Sequence, residues 1–230
     1  MPLFFPRKQV TKKDNFSYLL FSLFFLLLSS AMVDQFFSRT LLGQSLVIAL
    51  TVISMSIAVW SLRSSRYAFN TALGLVLSTI IISIIVIALD KAELAFIHLL
   101  LMLTFFSMTL RLATQQALFS GEITYNSIIG SICIFLLLGL IWVILYLLLI
   151  EFTDTAFIGI DVLPWQENFP NLIYFSFVTL TTLGFGDLLP ISPLARFLVY
   201  IEAIVGVFYM AIVVSSLVGA GISQTQKESR

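Results

Sequence analysis

The chain has 230 residues, 60% of them hydrophobic and 10% charged, with a formal net charge of +0 and a mean hydropathy of +1.07. A soluble globular domain carries about 25% charged residues and does not expose apolar surface on this scale, which excludes a water-soluble enzyme or binding domain. Neutrality, and the lack of any basic block longer than four residues, exclude a nucleic-acid binder. The single cysteine, Cys133, excludes an intrachain disulfide, and the single histidine, His98, excludes a Cys/His zinc site.

A helix needs about 20 apolar residues to cross a bilayer core. In chain order the expected spans are Phe16–Val33, Leu41–Leu62, Tyr67–Leu89, Leu94–Leu110, Ile128–Ile150 and Phe197–Ile222, the fourth being the shortest. The first has a basic flank and a Ser29-Ser30-Ala31 sequence like a signal-peptide cleavage site, but its apolar run is longer than a signal peptide's, so it is read as a retained span. The fourth holds His98 and ends at Arg111, without a basic residue at every third position. His98 is read as a helix-packing or hydrogen-bonding residue. The polar segment 113–125 is expected to join the fourth and fifth spans at the cytoplasmic surface. Trp60, Trp142 and Trp165 read as interfacial anchors, and Cys133, in the fifth span, as inert.

Lys and Arg set the orientation. With the N-terminus cytoplasmic, nine basic residues (Arg7, Lys8, Lys12, Lys13, Arg63, Arg66, Arg111, Lys227, Arg230) fall inside, and three (Arg39, Lys91, Arg196) outside. Both termini are therefore expected in the cytoplasm and the chain in the plasma (inner) membrane. Segment 1–15 is a cytoplasmic N-terminus. Segment 223–230 is a tail too short to fold a domain of its own.

Four of the six prolines (164, 170, 190, 193) lie between the fifth and sixth spans. They bracket a seventh apolar stretch, Leu172–Leu183, too short to cross and suited to a re-entrant half-helix. Pro170 suits the first turn of that helix and Asn168 its cap, giving a pore-directed helix over 171–182. Then comes Leu183-Gly184-Phe185-Gly186-Asp187. Alternate glycines open backbone conformations closed to other residues, so successive carbonyls can face the same way. Four such strands around an axis would stack rings of carbonyls that replace a cation's water shell. The negative C-terminal end of the preceding half-helix favours a cation at the centre.

The run Thr179-Leu180-Thr181-Thr182-Leu183-Gly184-Phe185-Gly186-Asp187 resembles the signature T-x-x-T-x-G-[YF]-G-D of the potassium-channel pore-domain family, and the chain is similar to bacterial members without an arginine-bearing voltage sensor. The resemblance covers about 128–222. It implies a homotetramer in the lipid bilayer, with K⁺ as permeant ion held at Thr182, Leu183, Gly184 and Phe185 and Gly186 at the outer mouth. Asp187 would anchor the filter from behind, and Arg196 matches a basic position seen in some relatives. Gly206 matches the inner-helix hinge glycine. Phe185 replaces the commoner Tyr, and the helix over 171–182 offers Tyr174 and Phe175 but no Trp, which implies a thinner cuff of hydrogen bonds behind the filter.

Glu202 is a carboxylate within the sixth span, costly in lipid and so a functional candidate. It falls in line with Gly206 and Tyr209, to one side of the stripe Val207, Met210, Val214 and Val218 that is placed to line a pore. We read Glu202 as a buried acid hydrogen-bonded to the pore helix of its own or a neighbouring subunit, rather than as a direct ion contact, since such bonding satisfies its lone pairs.

These readings combine into an all-α membrane protein: six transmembrane helices, a re-entrant pore helix and a selectivity filter, in a tetrameric channel. The expected domains are a four-span unit over 16–112 without gating charges, the linker 113–125, and a pore domain over 126–222. That pore domain comprises an outer helix, a pore helix over 171–182, a filter over 182–187 and an inner helix over 194–222. The expected function is passive, potassium-selective conduction without enzymatic chemistry, resident cofactor or voltage sensing. A weakly selective cation channel is the alternative within this class. A secondary transporter would need internal symmetry and usually two interrupted spans, whereas one interruption is found. The opening stimulus, including an unidentified regulatory partner, is not legible in the sequence.

Overall fold

The computed structural model describes residues 16–61, 66–89, 93–117, 125–153, 155–161 and 163–228. The chain runs α1 (Phe16–Phe37), α2 (Leu41–Ser61), α3 (Arg66–Leu89), α4 (Glu93–Ala117), α5 (Tyr125–Phe152), β1 (Phe157–Ile158), α6 (Trp165–Leu180), β2 (Leu189–Pro190) and α7 (Pro193–Glu228). It is an all-α membrane protein. In lipid a chain must satisfy its backbone internally, and helices do so. The hydroxyls inside them donate back to carbonyls one turn earlier: Thr79 to Leu75 (2.8 Å), Ser83 to Thr79 (2.7 Å), Thr109 to Phe105 (2.8 Å) and Ser131 to Ser127 (2.9 Å).

Among the described residues, five helical segments are long and apolar enough to cross a membrane: Phe16–Phe37, Leu41–Trp60, Ala95–Ala117, Asn126–Phe152 and Pro193–Val213. Within α3 the described apolar stretch, Phe69–Ile85, is shorter. Helices α1 to α4 pack in sequence on one another, and Ser54 stitches α2 to α1 by donating to the Ser22 carbonyl (2.8 Å). Thr40 caps α2 by accepting the Gly43 N–H (3.0 Å), while Arg39, at φ 59°, turns the chain between α1 and α2. Helix α5 packs against α1, α4, α6 and α7. Of its apolar span 72% is buried, against 17% for α7, whose surface is largely left outward.

Several expected boundaries shift. The short helix α6 begins at Trp165, not 171, so Pro170 lies inside it and Asn168 is not its cap; Pro164 holds the cap position without a side-chain bond. Instead, the Asn168 amide donates to the carbonyls of Asp161 and Leu163 (3.1 Å each) and closes the loop entering the helix. Polarity does not end α4 at 112, because the Ala-Thr-Gln-Gln-Ala run that follows is compatible with a helix; residues 118–124 of the expected linker lie outside the described residues. Helix α7 likewise begins one residue early, at Pro193, and continues to Glu228 through the expected tail. The N-terminal segment 1–15 also lies outside the described residues.

The tryptophan readings divide. Trp60 is exposed, but Trp142 and Trp165 are buried. Trp165 stacks on His98 (ring centroids 4.9 Å), whose Nδ1 meets the Ser83 hydroxyl at 3.3 Å. His98 thus packs and hydrogen-bonds as its sequence setting suggests. Cys133 is fully buried, its thiol 3.7 Å from the Phe16 carbonyl.

Candidate functional site

Helix α6 ends where its last carbonyls are taken by the following strand. The N–H of Thr182 donates to Thr179 (2.9 Å), and the N–H groups of Leu183 and Gly184 both donate to Val178 (2.9 and 3.4 Å). These three donors therefore point back into the helix. Among the described residues no hydrogen bond reaches the carbonyls of Thr182, Leu183, Gly184 or Phe185. The result is a strand whose first three N–H groups are bonded to the helix while its oxygens from 182 to 185 are left free.

The conformation explains how this arises. Thr182, Gly184 and Gly186 have φ of 60°, 55° and 80°, and no other residue between 182 and 187 has a positive φ. Left-handed residues alternating with ordinary ones turn successive carbonyls to one side. Glycine adopts such angles without penalty, but a β-branched threonine at φ 60° is an outlier of about 1–3 kcal/mol that its surroundings must hold in place. Residues 182–187 are all exposed in the single chain. Such a row of free carbonyls can replace water around a bare cation.

Behind this strand lies a support that sequence reading saw only in part. The Tyr174 ring lies parallel to that of Phe185 (6.4 Å between centroids, 1° between planes), and its hydroxyl faces the Asp187 carboxylate. Tyr174 thus backs the strand from α6. The one tryptophan of α6, Trp165, is at the far end and takes no part. Asp187 also accepts the Leu188 N–H at Oδ1 (3.1 Å). Strands β1 and β2 pair antiparallel, Phe157 with Pro190 and Ile158 with Leu189, tying the loop after α5 to the segment leaving the strand. Gly159, at φ 91°, admits the Asp187 carbonyl where a Cβ would come within 2.7 Å of it. Arg196 reaches the Pro190 carbonyl through Nε (3.3 Å).

The middle of α6 is bolted to its neighbours. Glu202 is fully buried; its Oε1 meets the Ser176 hydroxyl at 2.6 Å, and its Oε2 accepts from the Tyr146 hydroxyl. Ser176 also lies 2.9 Å from the Gly139 carbonyl, so one seryl group joins α5, α6 and α7. At Gly139 a Cβ would strike the Phe177 ring at 2.7 Å, which explains how closely α6 approaches α5. Around this node Tyr146, Phe157 and Phe175 meet edge to face, each pair 5.4 Å apart. Ser176 is the sole polar residue on the buried face of this helix's middle turns. Tyr146 and the ring cluster were not legible without the helix crossings.

Helix α7 presents two faces. Glu202, Gly206 and Val213 are buried, and the Tyr209 hydroxyl donates to the Ser131 carbonyl (2.5 Å). Val207 and Met210 face outward. The side chains of Val214 and Val218 lie outside the described residues. Gly206 sits against the end of α6, where a Cβ would fall far inside van der Waals contact with the Leu180 carbonyl oxygen. The helix runs unbroken through it, so close approach is the visible reason for a glycine here.

A half-helix that stops within the bundle, a strand of free carbonyls returning from it, and an outer and an inner helix around them define the pore-loop class of membrane proteins. Residues 132–221 match the family described as Ion channel, a span that takes in most of α5, all of α6, the strand and most of α7. The match supports an ion-channel pore domain over this segment. No curated protein and no solved structure matches the chain.

Proposed function

We propose that four copies of the chain form a passive, potassium-selective channel. The observation that carries this reading is the alternation of φ at Thr182, Gly184 and Gly186 with the carbonyls of 182–185 left unbonded. One copy supplies one strand, and four around an axis would make rings of oxygens of the kind that hold dehydrated K⁺. In this reading K⁺ occupies sites built from Thr182, Leu183, Gly184 and Phe185, and Gly186 forms the outer mouth. Asp187, Tyr174 and Glu202 hold the strand in shape. The outward face of α7, with Val207 and Met210, lines the inner path together with Val214 and Val218, and Gly206 is the place where that helix would bend.

The assembly explains why so much of α7 is uncovered in one chain: neighbouring copies would close over it. We further propose six spans, both termini in the cytoplasm, residence in the plasma membrane and opening that is nearly independent of voltage. Helix α4 carries Arg111 as its one arginine, whereas a sensor needs about three or four gating charges per subunit.

The test is K⁺ flux into vesicles containing the purified chain and its Gly184→Ala variant. The conformation at φ 55° costs an L-residue about 1–2 kcal/mol in each subunit. Flux should be present in the first and lost in the second. Equal flux in both would sink the filter assignment. A weakly selective cation channel remains the second reading, since the tyrosine hydroxyl usual at position 185 is absent.

A further inference from the structure

Three contacts from the four-helix unit converge on the entry to α6. The Gln44 amide of α2 donates to Glu167 Oε1 (2.7 Å). Arg39, in the turn between α1 and α2, pairs with Asp161 (2.8 Å). His98 of α4 stacks on Trp165 (4.9 Å). All three land within residues 161–167, the first turn of α6 and the loop that enters it. By contrast, α7 packs chiefly on α5, α6 and β2. Among the described residues of one chain, the four-helix unit therefore grips the pore helix from its outer end, with no comparable hold on the inner helix.

We infer that the four-helix unit acts on conduction through the outer end of the pore helix, and that Gln44 is a positioning residue for the filter. This rests on the channel reading above. The mechanics follow from the node at Ser176, which is fixed to Glu202 and lies beside the Gly139 carbonyl. From Ser176 to Trp165 is about 16 Å of helix and to Leu180 about 6 Å, at the standard rise. A helix pivoting at Ser176 transmits a displacement of ~1 Å at its outer end as ~0.4 Å, in the opposite sense, at the end that carries Thr182. Shifts of that size matter where carbonyls must match an ion's water shell. The handle is placed to work: the Gln44–Glu167 bond is partly buried, while the Arg39–Asp161 pair is about 70% exposed on both sides and holds more weakly.

The test is single-channel recording of the full chain in planar bilayers, with K⁺ as the sole permeant ion. Gln44→Ala removes the donor to Glu167. Its open probability at low external K⁺ should fall roughly fivefold, as expected for one lost hydrogen bond to a carboxylate biasing a two-state filter. High external K⁺ should restore it, because ions bound in the filter oppose its collapse. Gln44→Lys, which keeps a donor towards Glu167, should recover most of the loss. Gln44→Ala with Glu167→Ala should be no worse than Gln44→Ala alone. A merely structural role would lower the yield of channels and leave each channel's dependence on external K⁺ unchanged. If Gln44→Ala does not assemble, Asp161→Asn, on an exposed loop, reads the same parameter with a loss of about twofold. An unchanged open probability and K⁺ dependence, in a wild type that conducts, would overturn this inference alone. A wild type that carries no K⁺ current would overturn the channel reading and this inference with it.

Discussion

Replacing Glu202 probes the node that fixes the pore helix. The carboxylate is fully buried and holds Ser176 of α6 and Tyr146 of α5. In Glu202→Val both partners vanish. Ser176 keeps the Gly139 carbonyl (2.9 Å), so it is not orphaned. Tyr146, also fully buried, has no such reserve, and its hydroxyl is left without a partner. An unpaired buried hydroxyl costs about 1–3 kcal/mol, so ~4–12 kcal/mol over the proposed four subunits. Glu202→Gln keeps the shape, accepts from Tyr146 and can donate to Ser176, so it should melt close to the wild type. The discriminating variant is Glu202→Val with Tyr146→Phe. Removing both partners of a buried hydrogen bond is far less costly than removing one, so the double variant should recover stability relative to Glu202→Val. The assay is thermal melting of the detergent-solubilised assembly, read as loss of the oligomer. If Glu202→Val melts with the wild type, or if Tyr146→Phe deepens its loss, the anchoring role is wrong.

Further predictions follow from the same geometry. Gly206→Ala should block assembly or abolish current, because its Cβ would displace the Leu180 carbonyl; size-exclusion chromatography and flux read both, and a normal channel would show that this helix crossing is not close-packed. Tyr174→Phe keeps the ring against Phe185 but removes the hydroxyl facing Asp187, so K⁺ current should survive but decline faster during sustained recording at low external K⁺. Tyr174→Ala should be worse than Tyr174→Phe, and equal behaviour would remove the stacked ring from the account. The conductance–voltage relation should be shallow, since each charge moved through the field supplies about 2.3 kcal/mol per 100 mV and α4 carries a single arginine; a steep sigmoid would mean that charge elsewhere in the chain senses the potential.

The strand between α6 and β2 was legible because its conformation is written in glycine spacing: Gly184 and Gly186 sit where φ must be positive. Thr182 joins them with no residue-type signal. The start of α6 was not legible, because Pro170 reads as a helix beginning and Asn168 as its cap, which leaves Gln166 and Glu167 outside the helix. They are helical and largely covered because α1 and α2 lie over them, a contact set by distant parts of the chain. Trp165 misleads in the same way: its sequence setting suits a membrane surface, yet its ring is claimed by His98. The intramembrane acid Glu202 announces itself by its cost. Its pore-helix partner could be anticipated as a class, but Tyr146 depends on how α5 crosses α7. Gly206 shows the converse, a glycine whose family resemblance suggests bending and whose surroundings show close approach.

The central claim is that free carbonyls at 182–185 select K⁺. Its most direct measurement is the reversal potential of single channels with K⁺ on one side of the bilayer and Na⁺ on the other. The account predicts a reversal far towards the K⁺ equilibrium potential, and its loss in any Gly184→Ala channels that still conduct. A reversal near zero in the wild type would contradict it and leave a weakly selective cation pore.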